Sequence, residues 1–178
     1  MGQDVDGETI ELDASSGLGL YRIGPQDNAA VAILIRYVMP EFGASGSGFA
    51  IMDPEVDHMA EAYAGGRAQY YVLKSSAGGK ILGGGGFAPL TGGRVDTCEL
   101  RKMYFLSEAR GLGWGARLFD ALLLEAARQG FKTCYLETLK NMTAAQRLYE
   151  SRGFRRLSAT QGHTGHSGCD RWYEKALS

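Results

Sequence analysis

Residues 98–118 read CELRKMYFLSEARGLGWGARL: a strand-like run from Cys98 to Phe105, a glycine-studded turn opening on Arg110, and then an apolar helix. A strand that empties through glycines into a helix N-terminus turns several free backbone N–H groups toward one point, and that point suits a pyrophosphate. The chain is therefore expected to handle a phosphate-bearing cofactor.

Two cofactors compete for this turn. Read as G-x-G-x-x-A over Gly111, Gly113 and Ala116, it fits a dinucleotide fingerprint, and Glu137 follows at the end of a later strand where a ribose-binding acid would sit. Against that stands the strand itself. A Rossmann first strand is buried on both faces and almost continuously apolar, whereas Thr97 to Phe105 includes Glu99, Arg101 and Lys102 and so has a polar side. A dinucleotide domain also needs further strand–helix units, and only about 40 residues follow Glu137.

Read instead as R-x-x-G-x-G over Arg110, Gly113 and Gly115, the turn resembles the acetyl-CoA pyrophosphate loop of the GNAT superfamily of N-acetyltransferases. The resemblance extends from Leu20 to Tyr173. In that family the strand before the loop ends in an apolar residue two positions ahead of a proline; Phe105, Leu106 and Ser107 occupy those places here, with serine for proline. A helix follows, then a strand of the L-E-V type matched by Leu136, Glu137 and Thr138, then a closing helix ending Y-E-x-x-G-F, matched by Tyr149, Glu150, Gly153 and Phe154. The fold implied is a mixed α/β domain: a mostly antiparallel sheet, splayed at the strand that receives acetyl-CoA and flanked by about four helices.

Composition agrees with such a domain. At 178 residues and 44% hydrophobic, the chain can bury one proper core, so a tail or edge strand over residues 1–17 and a single domain over 18–178 are expected. A net charge of -1 with no basic run lacks the footprint of a nucleic-acid or anionic-membrane binder. Cys98, Cys134 and Cys169 form no CxxC pair, and neither a secretory leader nor a long apolar span is seen, so a reducing cytoplasm is the expected compartment. Asp6 stands where an N-myristoylation signal wants Ser or Thr.

Periodicity fills in the rest. Leu20 to Ile23 reads as a strand. Pro25 leads a helix with Val31, Leu34, Ile35 and Val38 inward, and Asp53 with Pro54 starts another with Val56, Met59, Ala60 and Tyr63 inward. Residues 68–75, 80–89 and 95–105 suggest an antiparallel meander. The helix from Gly113 to Gln129 should cross over to a parallel strand, Thr133 to Thr138. Asn141 can cap a last helix ending near Arg152, and strands near residues 154–158 and 170–175 flank the loop QGHTGHSG.

Acetyl transfer from a thioester to an amine needs a grip on the cofactor, a neutral amine, a home for the oxyanion and help for the leaving thiolate. The grip would be the backbone of Arg110, Gly111, Leu112, Gly113, Trp114, Gly115 and Ala116, with Arg110 either on a phosphate or pinning the turn. By the resemblance, the pantetheine arm pairs along Met103, Tyr104 and Phe105, whose N–H groups would support the thioester oxygen. A lysine-type amine is protonated at neutral pH, a handicap of roughly 4 to 5 kcal/mol in available nucleophile, so a base is useful. Glu99, six residues before Phe105 and on its face by period two, matches the base of the histone-acetylating branch. Glu137 matches that of the branch acetylating ribosomal-protein N-termini. Tyr149 sits where many members keep the acid that protonates the CoA sulfur. Many relatives place asparagine seven residues before that tyrosine; Met142 stands there, with Asn141 one step earlier.

The acceptor is expected to be a small-molecule or peptide amine, in a pocket built from Glu41 to Met52 and from His163 to Cys169, with Glu41 and Asp53 hinting at a cation. Neither its identity nor the oligomeric state follows from these residues, and a homodimer is left open. No metal is expected, because His163, His166 and Cys169 lack a fourth ligand nearby. The cysteines read as small buried hydrophobes. An acyl-CoA sensor without turnover and an NAD(P)-dependent oxidoreductase are the alternatives.

Overall fold

The computed structural model describes residues 9–177; residues 1–8, the start of the acidic segment, and Ser178 lie outside the described residues. Eight strands form one sheet among them: β1 (Thr9–Asp13), β2 (Leu18–Arg22), β3 (Gln69–Ser75), β4 (Ile81–Pro89), β5 (Thr97–Phe105), β6 (Thr133–Thr138), β7 (Arg155–Leu157) and β8 (Arg171–Ala176). The spatial order is β1-β2-β3-β4-β5-β6-β8-β7, so β8 slots between β6 and β7. Every pairing is antiparallel except β5 with β6. The helices are α1 (Asn28–Val38), α2 (Met59–Ala62), α3 (Trp114–Arg128) and α4 (Thr143–Ser151).

Alternation along the strands divides the apolar residues between two cores. On one face Leu73, Phe87, Cys98 and Leu100 pack with Leu118, Phe119 and Leu122 of α3 and with Tyr149 of α4. On the other, Tyr70 and Val72 pack with Val31, Leu34, Ile35 and Val38 of α1 and with Met59. The apolar stripe read for α1 is thus its buried face. The second helix is shorter than its sequence suggests: Pro54–Asp57 is a 3-10 turn, and α2 is one turn of α-helix, although Val56, Met59, Ala60 and Tyr63 are all buried as expected. Asn141 does not cap α4. Met142 holds the N-cap position, and the Asn141 amide donates instead to the Phe42 carbonyl at 2.9 Å.

Two irregularities shape the functional region. Arg101 pairs with Gly86 and Tyr104 with Gly84, so Lys102 and Met103 together oppose Gly85: a β-bulge, with Lys102 at φ 51°. Glycines of β4 leave room on both sides of the strand: a Cβ on Gly85 would lie 3.0 Å from Met103 Cγ in the bulge. A Cβ on Gly86 would lie 2.4 Å from the Gln69 carbonyl oxygen and 2.6 Å from the Tyr70 ring. Their absence lets Tyr70 lie flat on the sheet, and its hydroxyl donates to the Lys102 carbonyl at 2.8 Å. The second irregularity is a splay. β5 pairs with β6 only from Thr97–Thr133 to Leu100–Leu136, and beyond Leu100 the strands part.

Candidate active site

Because the bulge adds one residue, the period-two argument fails beyond Arg101. Phe105 packs with Leu100 on the α3 side, so Glu99 and Phe105 face opposite ways, whereas Glu99, Arg101 and Lys102 all turn toward the α1 side. The polar side of β5 therefore faces the interior. Glu99 is 2% exposed, and Lys102 places Nζ 2.6 Å from both Asp53 Oδ2 and Glu55 Oε1.

The wedge between β5 and β6 holds two abutting cavities. The inner one, about 60 Å³, is lined by Glu99, Arg101, Glu137, His166 and Cys169, together with Ala44, Phe49 and Ala50 from the segment before α2. The outer cleft, about 280 Å³, is lined by Met103, Phe105, Arg110, Gly111, Gly115 and the first turn of α4. Phe42, Met103, Tyr104, Met142 and Tyr149 line both, so the two spaces meet at the splay. A third cavity, under the 160–172 loop, shares His166 and Cys169 with the inner one.

His166, 67 positions after Glu99 in the chain, ties the inner cavity together. Its Nε2–H donates to Asp53 Oδ2 at 3.1 Å, the role the carboxylate acceptor imposes. Its Nδ1 lies 3.8 Å from Glu99 Oε1 and 4.0 Å from Glu137 Oε2. Burial pushes the Glu99 carboxyl up to about 7; the nearby Arg101 and His166 charges pull it back, and Glu137 adds to the rise. Burial opposes the charged form of His166, but its hydrogen bond to Asp53 and the Asp53 and Glu99 charges win and raise it above its ordinary value. Asp53 responds the other way: burial would raise it, yet His166 and Lys102 hold it below the usual carboxylate range. Glu137 accepts hydrogen bonds from Tyr135 Oη at 2.7 Å, Thr160 Oγ1 at 2.9 Å and Thr164 Oγ1 at 3.1 Å.

Tyr149 stacks among Phe119, Phe154 and Tyr173, and its hydroxyl has no hydrogen-bond partner among the described residues. Burial raises its phenol above the ordinary range. Cys169 is no thiolate: burial first, then the Glu137 and Glu99 charges, push it up to about 12. His163 packs over Gly92, and among the described residues no three His, Cys, Asp or Glu side chains form a metal-holding group.

The loop before α3 suits a pyrophosphate. Gly111 and Gly113 adopt φ 76° and 86°, and no atom lies within 4 Å of where their Cβ atoms would be. The N-cap, Gly113, offers no side chain to the first turn, so the early N–H groups of α3 stay available. Met103, Tyr104, Phe105, Arg110, Gly111 and Gly115 line the cleft; Leu112, Gly113, Trp114 and Ala116 do not. The Trp114 side chain is buried at 2% exposure, so the backbone is its available contribution. Arg110 pins the turn: Nε donates to the Phe105 carbonyl at 2.8 Å, and Nη1 pairs with Glu41 at 2.8 Å. Glu41 and Asp53, read as hints of a cationic acceptor, are thus occupied by Arg110 and by Lys102 with His166.

Comparison with known proteins follows the same lines. The profile of the Acetyltransferase (GNAT) family matches residues 38–154. The uncharacterized N-acetyltransferase YjgM of Escherichia coli K12 is 41% identical over 150 residues, 84% of this chain and 89% of that protein. An acetyltransferase of the GNAT family from Staphylococcus aureus Mu50 superposes with a TM-score of 0.77 at 19% identity, over 90% of this chain and 99% of the other. The yncA protein of Salmonella typhimurium, solved with its cofactor acetyl-CoA, superposes with a TM-score of 0.65 at 18% identity, over 91% and 95% of the two chains.

Proposed function

The chain belongs to the acetyltransferase (GNAT) family, and on that premise we propose that it moves the acetyl group of acetyl-CoA to a primary amine by direct attack within a ternary complex. Supporting this reading above all is the pairing of a buried glutamate, raised to about 7, with a cleft that reaches it through Tyr104, Met142 and Tyr149. Bound acetyl-CoA supplies an activated thioester; the backbone of Gly111 to Ala116 would hold its pyrophosphate, and Met103 to Phe105 would line its arm.

Glu99 takes a proton from the acceptor ammonium. A base near 7 facing an amine near 10.4 leaves a transfer uphill by about 4 to 5 kcal/mol, against about 8 kcal/mol for an ordinary carboxylate. Glu137, beside the same histidine, adds a second carboxyl to the wall that the incoming cation meets. His166 lies between the inner cavity and the loop cavity, so the proton on Glu99 can leave through His166 while Asp53 balances the imidazolium. Tyr149 stabilises the departing sulfur by donating a hydrogen bond. Its raised pKa makes full proton transfer steeper than the roughly 2 kcal/mol separating an ordinary phenol from a thiol.

Calorimetric titration with acetyl-CoA, with NADH in a parallel cell, tests the cofactor. Saturation by acetyl-CoA alone at one per chain is the expected result, followed by free-thiol release in an amine screen. NADH binding alone would overturn the reading, and acetyl-CoA binding with no turnover on any amine would favour a sensor.

A further inference from the structure

Two side-chain polar atoms sealed from solvent make no hydrogen bond of good geometry among the described residues, and they belong to neighbours that interact with each other electrostatically: Arg101 Nε and Tyr63 Oη. Buried donors are rarely left unsatisfied without a reason. Lys102, next in sequence, shows the contrast, with both Asp53 and Glu55 at 2.6 Å. Arg101 has only distant carboxylates: Glu55 Oε1 lies 3.8 Å from Nη1 and Glu99 Oε2 lies 3.9 Å from Nε, beyond hydrogen-bond reach. Its Cζ sits 5.4 Å from the centroid of the Tyr63 ring, and its side chain, 17% exposed, borders the same small cavity as the base.

We propose that Arg101 binds a carboxylate of the acceptor, and that the acceptor is a free α-amino acid acetylated on its α-amine. The inference rests on the acetyltransferase reading and names its substrate class. An α-amine and the carboxylate carbon next to it are about 2.5 Å apart. Glu99 and Arg101 line the same cavity with their nearest polar atoms 3.9 Å apart, and the exposed part of the Arg101 side chain, rather than its sealed Nε, would meet the carboxylate of such a molecule while Glu99 meets its amine. A lysine ε-amine lies several methylenes from its carboxylate, and a polyamine has none. Charge fits as well: the ammonium meets Glu99 and Glu137, and the carboxylate meets a planar fork of donors suited to bidentate pairing. A cavity of about 60 Å³ favours a small acceptor over a folded protein.

The test compares each amino acid with its α-amide and its decarboxylated amine, read by free-thiol release, in the wild type and in Arg101→Gln and Arg101→Lys. For the wild type, kcat/KM is expected to favour the amino acid over both analogues by at least 30-fold. In Arg101→Gln that ratio should collapse to within about threefold, through KM, and Arg101→Lys should restore part of it. The ratio cancels any change in Glu99 that both acceptors share, and the wild-type comparison stands even if the variants misfold. Amine or amide turned over as well as the amino acid, or a ratio unmoved in Arg101→Gln, overturns the proposal while leaving acetyl transfer intact. Direct titration of the wild type with the amino acid in the presence of CoA gives a readout independent of turnover, and absence of binding there also overturns it. If the protein failed to bind acetyl-CoA at all, the broader reading would fall instead.

Discussion

Replacing Glu99 by Gln removes one buried carboxyl while keeping its volume, and it should move rate and stability in opposite directions. The shift from 4.5 to about 7 is about 2.5 units, or about 3 kcal/mol of interaction disfavouring the charged form in the folded protein. In the wild type this carboxyl is protonated in the folded state but ionised in the unfolded state between those two values. The folded state therefore binds more protons there, and stability falls as pH rises through the window. Above pH 7 the full cost of about 3 kcal/mol is present; below 4.5 it vanishes. Glutamine never ionises, so the melting temperature of Glu99→Gln relative to wild type should climb by roughly 5 to 10 °C between pH 4.5 and pH 8. Activity should do the reverse. kcat/KM of the wild type should rise with unit slope to a plateau near pH 7, and Glu99→Gln should lose that limb and about 10² to 10⁴ in rate, as expected for a general base. Scanning calorimetry across pH and pH–rate profiles on the same preparations check both arms. A melting difference independent of pH, or a Glu99→Gln rate within a few-fold of the wild type across the pH range, would refute the assignment.

Tyr149→Phe should lower kcat by about 10- to 100-fold, the value of a hydrogen bond to a charged leaving group. Its melting temperature should hold within a degree or two, because no hydrogen bond within the described residues is lost. Lys102→Met leaves Asp53 and Glu55 facing a buried apolar side chain and should cost about 3 to 5 kcal/mol in denaturant unfolding. Gly86→Ala, whose Cβ meets the Gln69 carbonyl at 2.4 Å, should cost about 1 to 3 kcal/mol by the same measurement and reduce activity with it, since the β5 bulge is built against that strand. Gly113→Asp puts a carboxylate where a pyrophosphate would sit, at a residue with φ 86°, and should raise the acetyl-CoA Kd at least tenfold by calorimetry.

Much of the fold was legible because it rests on periodicity and punctuation. The stripe Val31, Leu34, Ile35, Val38, the meander of three strands and the crossover through α3 to a parallel β6 depend on local patterns, and the structure carries all of them. The glycine turn between β5 and α3 was legible for the same reason, as glycines placed where a strand meets a helix. Three readings failed where a local rule met a competing contact. Asn141 looked like a cap but serves the Phe42 carbonyl. Asp53 does stand at the N-cap of the Pro54–Asp57 turn, but its carboxylate, read as a cation hint, anchors Lys102 and His166 instead of capping or waiting for an acceptor. Glu99 and Phe105 share parity in the sequence, but a one-residue bulge turns them to opposite faces.

By itself the sequence determined the family resemblance, the two-faced sheet and the set of chemically able residues, because hydrophobic period and glycine placement act over a few residues at a time. Only the tertiary structure decided what those residues are to each other. His166 reaches Glu99 from the loop before β8, Arg101 and Lys102 turn the same way over a bulge that opposes Gly85 of the neighbouring strand, and a glutamate acquires a pKa near 7. Each depends on burial and on charges brought together from distant parts of the chain, and neither desolvation nor a Coulomb contact has a signature in local sequence.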